Sequence, residues 1–192
     1  MLESAPAGDT PCGIAEEHAD DTLVLVDLDD RAVGTASKIE AHRGRGLLHR
    51  AFSIFIFDDR GRVLLQQRAA GKPLWPHYWS NACCSHPRVG EEMSVAVQRR
   101  LGEELGLRCA MEFLFKFHYQ AQYDAMRAEN ELCSVFAGRS NAWPAFNRSE
   151  IGAIRYVAPD ALDEEVSRRP DAFTPWFKIE WQRMRVGLRR VG

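Results

Sequence analysis

A chain of 192 residues, 45% hydrophobic and 27% charged, is long enough to bury one proper core and too short for a series of domains. Its 25 Lys+Arg against 27 Asp+Glu leave a formal net charge of -2, so no global basic field favours a nucleic acid, and any bound anion must be held by a local cluster. No apolar run approaches a membrane span of roughly 18 to 20 residues, and the start has no secretion signal, so a cytoplasmic protein away from membranes is expected.

Residues 1–20 carry Ala, Gly, Pro, Asp and Glu without periodicity and are expected to form a mobile tail ahead of one domain over 21–192. The β-branched run 22–27, the turn-like Asp29-Asp30-Arg31 and residues 31–36 suggest an opening hairpin. Residues 51–57, then Asp58-Asp59-Arg60-Gly61, then 62–68 form the clearest strand-turn-strand pattern. Over 91–105, Met93, Val95, Ala96, Val97, Leu101 and Leu105 fall largely at helical spacing, and Gly106 stands where a helix stops. Strands are expected over 111–121, 131–137 and 151–157, and a helix over 175–190. Strands around a central helix with a second helix at the end give a mixed α/β (α+β) sheet sandwiched between helices.

The five cysteines are an odd number in a chain that needs no disulfide staples, so reduced thiols are expected. Cys84, ahead of the central helix, stands where the local field can favour a thiolate, making it a candidate nucleophile or proton carrier. Cys83, Cys109 and Cys133 are expected to be small buried hydrophobes, and on a strand Cys83 and Cys84 face opposite ways.

His42, His49 and His86 lie beside Gly, Pro or a strand start rather than inside apolar runs, and Glu129 and Glu131 alternate onto one face of a strand. Three imidazoles and two carboxylates make a borderline N/O set for a divalent ion such as zinc, manganese or iron, with solvated surface residues as the plain alternative. Glu103-Glu104 opposes the helix dipole just before Gly106, a frustration that magnesium or pairing with Arg99 and Arg100 relieves. Lys38, Arg68 and Lys72 can clamp a phosphate or lie scattered on the surface.

The run Ser85-His86-Pro87-Arg88-Val89-Gly90-Glu91, followed by Arg99-Arg100-Leu101-Gly102-Glu103-Glu104-Leu105-Gly106-Leu107, resembles the Nudix box, with Ser85 in place of its first Gly and Arg100 in place of the Glu after its Arg. Losing that Glu argues against the multi-magnesium cleavage of diphosphates. Leu48-His49-Arg50-Ala51-Phe52-Ser53, Gln67-Arg68-Ala69 with Lys72, Trp75-Pro76-His77-Tyr78-Trp79-Ser80-Asn81, Cys84-Ser85-His86-Pro87, Tyr119, Glu129-Asn130-Glu131 and Phe173-Thr174-Pro175-Trp176 follow in the order of the type I isopentenyl-diphosphate isomerases. The resemblance, over roughly residues 22 to 180, implies a Nudix-like fold and an isomerase of isopentenyl and dimethylallyl diphosphate working through a tertiary carbocation.

It further implies that His42, His49, His86, Glu129 and Glu131 bind one divalent metal, Mn2+ or Zn2+, and that Cys84 and Glu131 are catalytic with Tyr119 and Trp176. Glu104 and the backbone carbonyl of Cys84 are implied to hold Mg2+ on the substrate diphosphate, which Lys38, Arg68, Lys72 and Arg100 contact. A small-molecule diphosphate is thus the expected partner. A Nudix hydrolase and a non-catalytic metal-stabilised module are the competing expectations.

Overall fold

The computed structural model describes residues 22–191, so the tail expected over 1–20 lies outside it. The elements run β1 (Thr22–Val26), β2 (Ala32–Ser37), α1 (Lys38–Ala41), β3 (His49–Phe57), β4 (Val63–Arg68), β5 (Trp79–Ser80), β6 (Cys83–Ser85), α2 (Met93–Leu105), β7 (Met111–Gln122), β8 (Ala128–Arg139), β9 (Ile151–Val157), α3 (Pro159–Arg168) and α4 (Pro175–Val191).

β3 organises the sheet. One edge runs parallel to β8 along its whole length, from His49↔Glu131 to Phe57↔Arg139. The other edge takes β6 antiparallel through Phe52↔Ser85, Ser53↔Cys84 and Ile54↔Cys83. Because side chains alternate along a strand, Phe52, Ile54 and Ile56 pack with Ala96, Val97, Leu101 and Leu105 of α2, while Ala51 and Phe55 pack with Trp176, Phe177 and Trp181 of α4. The expected sheet between helices is therefore present, with a core on each face.

The strand-turn-strand over residues 51–68 turns as expected but does not persist as a hairpin. Asp58 Oδ1 accepts from the amides of Arg60 and Arg62 at 3.0 and 2.8 Å, yet β3 and β4 pair only at Phe57↔Val63. Beyond that point β3 is occupied by β6 and β8, and β4 pairs with β9 and β5, so the two strands diverge. The opening hairpin forms between β1 and β2 as expected.

α2 begins two residues later than the pattern suggests because Glu91 has another task. Its carboxylate takes Arg99 Nε and Nη2 at 2.7 and 2.8 Å and the Arg88 amide at 2.8 Å, bracing the loop from β6 against the helix. The helix ends at Gly106, whose φ of 64° is left-handed and whose amide donates to Gly102 O at 2.9 Å. A Cβ there would lie 3.2 Å from Ala145 Cβ and Ala145 O. Gly106→Ala is expected to lower unfolding free energy by about 1–2 kcal/mol in urea melts, more than Gly61→Ala, which has the same backbone demand. A Cβ at Gly61 meets nothing within 4 Å, and equal losses for the two variants would contradict the steric part of this account.

Candidate active site

The three histidines and Glu131 converge. His42 follows α1, His49 opens β3, His86 follows β6 and Glu131 lies on β8 beside His49; one ligand atom from each falls within 4.8 Å of the others. His42 Nδ1 lies 2.6 Å from Lys38 O and His49 Nδ1 lies 2.8 Å from Leu47 O, contacts that hold those nitrogens as donors and turn both Nε2 lone pairs inward. Inside, His49 Nε2 and His86 Nε2 are 3.2 Å apart, and Glu131 Oε1 is 3.1 Å from His86 Nε2. Glu129 adds a fifth group: its Oε2 lies 2.8 Å from His42 Nε2 and is buried without a hydrogen bond.

Lone pairs this close, aimed at one another rather than at donors, fit a divalent cation. Burial pushes His86 down to about 3, so its ring is neutral and able to ligate at ordinary pH. Burial would push Glu131 up, but the His49 and His86 rings that face it outweigh burial and hold the carboxyl well below the usual range. Tyr119 faces Glu131 across the β7–β8 ladder and donates to Glu131 Oε2 at 2.6 Å; burial, then the Glu131 charge, keeps the phenol protonated.

Cys84 occupies the α4 side of β6 and Cys83 the α2 side, the opposite facing expected of neighbours on a strand. The thiolate expected at Cys84 is not its resting form. Burial, then the Glu180 carboxyl, pushes the thiol up to about 12, and the helix end invoked for it starts only at Met93. The neutral thiol donates to Asn81 Oδ1 at 2.9 Å and accepts from Trp176 Nε1 at 3.1 Å. Asn81 is itself fixed, its Nδ2 donating to Ile54 O and Cys83 O at 3.2 and 2.9 Å.

The basic residues divide. Arg100 pairs with Glu104 and with Glu103, Lys72 pairs with Glu150, and Arg100 Nη2 reaches Glu150 at 3.4 Å. Lys38 stands near enough that burial, then Lys72 and Arg100, lower its pKa. Arg100 Nε is buried without a hydrogen-bond partner. This concentration of buried positive charge suits a polyanion. Arg68 is held apart, donating to Leu74 O at 2.9 Å and Trp75 O at 3.2 Å, with its guanidinium 5.3 Å from the Trp176 ring. Glu104 is buried between Arg100 and Cys83, and burial pushes it up despite Arg100.

Glu150, Asn81, Ser53 and Glu180 were not singled out by sequence. Glu150 reaches Lys72 only because β9 pairs with β4, and Glu180 reads as one polar residue on an amphipathic helix. Asn81 did stand in the aromatic run before Cys84, a signal that could have marked it.

The chain is 45% identical over 163 residues to isopentenyl-diphosphate Delta-isomerase 1 of Photorhabdus laumondii, spanning 84% of this chain and 93% of that protein. It is 44% identical over 158 residues to isopentenyl-diphosphate Delta-isomerase of Burkholderia multivorans, spanning 82% and 89%. Residues 47–177 match the NUDIX domain. The chain belongs to the NUDIX family, in its isopentenyl-diphosphate isomerase branch. The NUDIX fold extends to the crystal structure of DR0079 from Deinococcus radiodurans, with a TM-score of 0.63 at 21% identity over 77% of this chain and 89% of that one. In this NUDIX chain, Glu91 and Arg99 brace the loop and helix, and Arg100 brings a cation beside Glu103 and Glu104.

Zn2+ or Mn2+ titrated into chelator-treated protein is expected to bind at the histidine cluster and raise Tm with metal concentration. His49→Ala is expected to weaken this binding at least about 100-fold by calorimetry, and unchanged affinity would remove the cluster as the site.

Proposed function

We infer that this protein interconverts isopentenyl diphosphate and dimethylallyl diphosphate. The observation that carries the reading is the burial, in one site, of a thiol and a carboxylate–phenol pair beside a cluster of Lys38, Lys72 and Arg100. An alkene is a poor base, so moving its double bond calls for a positioned acid, a positioned base and the exclusion of water.

In this reading Lys38, Lys72 and Arg100 grip the diphosphate, joined by the buried Arg68, and its binding energy positions the five-carbon chain. At rest Cys84 carries its proton and Glu131 does not, so Cys84 supplies a proton to one carbon while Glu131, assisted by Tyr119, accepts one from another; the labels exchange when the reaction runs backwards. Trp176, whose indole already stands in cation-π contact with Arg68, offers its ring to the tertiary carbocation. Trp75 and Tyr119, packed against Trp176 at 5.3 and 6.1 Å between ring centroids, restrict water around it.

His42, His49, His86, Glu129 and Glu131 would hold the divalent Mn2+ or Zn2+, which when bound favours the ionised form of Glu131 and polarises groups attached to it. Glu104 with the backbone carbonyl of Cys84 would hold a Mg2+ that neutralises diphosphate charge. Arg100, where a hydrolase of this family keeps a Glu, works against assembly of several magnesium ions and so against diphosphate cleavage.

Incubation with isopentenyl diphosphate and Mg2+ in deuterated water is expected to give a deuterated allylic diphosphate and no phosphate. Release of phosphate or monophosphate would support a hydrolase instead, and neither product would support a non-catalytic module. Cys84→Ala is expected to lose at least about 100-fold in kcat while binding diphosphate within a few fold of wild type. Near-normal isomerisation by that variant would exclude Cys84.

A further inference from the structure

Glu180 lies on the inward face of α4, fully buried, and takes no part in the chemistry described so far. Its Oε1 is 3.7 Å from Cys133 Sγ, its Oε2 is buried without a hydrogen bond, and the Ser53 hydroxyl lies near enough to lower its pKa. Ser53, also buried, lies 3.5 Å from Cys133 Sγ and 3.6 Å from Cys84 Sγ, directly opposite Cys84 in the β3–β6 ladder. A path of polar contacts therefore runs from the far side of the core to the Cys84 sulfur.

The titratable groups that face Glu180 are Glu131 and Cys133 of β8 and Cys84 of β6, together with the Ser53 hydroxyl of β3. None of these is a cation. A carboxyl buried this deeply among potential anions is far cheaper as the neutral acid, and burial pushes Glu180 up to about 8. A neutral acid has an O–H to place, and the Ser53 oxygen is within its reach.

We propose that Glu180 is a positioning residue for the isomerisation: as a neutral acid it donates to Ser53 Oγ, which turns the Ser53 hydroxyl toward Cys84 and supports the sulfur while that sulfur lacks its proton. The proposal rests on the isomerase reading. Whichever way the reaction runs, Cys84 is without its proton at one end of it. No proton leaves Glu180; only the hydrogen-bond directions are set. When Glu180 ionises, the Ser53 hydroxyl turns back to the carboxylate. The sulfur then loses one donor and faces another negative charge, and keeps Trp176 Nε1.

The test measures kcat and KM for isopentenyl diphosphate against pH, at fixed Mg2+, for wild type, Glu180→Gln and Ser53→Ala. Wild-type kcat is expected to fall as pH rises through about 8. The Glu180→Gln amide donates to Ser53 at every pH, so that variant should keep kcat within about threefold of wild type at pH 7 and lose the alkaline fall. Ser53→Ala should lower kcat roughly tenfold or more with KM unchanged. The proposal is overturned by a wild type with no alkaline fall, by a Glu180→Gln variant that keeps it or is inactive while folded, or by a Ser53→Ala variant with normal kcat. Infrared difference spectra read the same group without turnover. A protonated-carboxyl band near neutral pH that disappears in Glu180→Gln is expected, and its absence from wild type overturns the neutral acid. A wild type that shows the band but forms no allylic product would bring down the isomerase reading and leave the protonation of Glu180 intact.

Discussion

The site depends on β3 being hydrogen-bonded along both edges. Its pairing with β8 sets His49 beside Glu131, and its pairing with β6 sets Ser53 opposite Cys84 and brings His86 toward Glu131. Side-chain alternation does the sorting: a one-residue slip of β6 would send Cys84 into the α2 core and put Cys83 in the site. His49, Ser53, Cys84 and Glu131 thus sit on paired strands, while Lys38 and Arg100 come from α1 and α2 and Lys72 from the loop after β4.

Burial then decides which of these groups carry charge. Glu131 stays ionised because two imidazoles and a phenol face it, whereas Glu180, facing thiols and a carboxylate, is driven toward neutrality. Cys84 resembles Glu180 rather than Glu131, and the local helix field invoked from sequence is too remote to offset desolvation. In the neighbouring cluster Lys38, Lys72 and Arg100 are crowded enough to repel one another, with Glu104 and Glu150 compensating part of their charge. On the proposed reading a diphosphate would exchange those internal partners for its own oxygens, so its affinity would reflect the difference between two sets of ion pairs.

Much of the fold was legible in the sequence because strands such as Ile151–Val157 and the helix closed by Gly106 carry a clear period or a clear stop. The elements it missed are too short to show periodicity, as with Lys38–Ala41, Trp79–Ser80 and Cys83–Ser85, or bury a single residue, as α3 does with Leu162. The divergence of β3 from β4 was hidden because a good local turn says nothing of which distant strands compete for each edge. Within the site, the histidines, Glu129, Glu131 and Cys84 were nameable from spacing and resemblance. Ser53, Glu150 and Glu180 acquire meaning only through contacts across the sheet, which no local pattern records.

The five grouped donors come from the end of α1, the start of β3, the end of β6 and the start of β8. Since β3 and β8 lie far apart in the chain and run parallel, their pairing closes a long loop and is costly to nucleate. No subset of neighbouring segments contains the whole donor set. A cation that needs all of it therefore binds only molecules in which the sheet has been completed, and its binding free energy goes to the finished fold in preference to partly assembled forms. A metal held by this cluster would in this way proofread chain topology as well as serve the site.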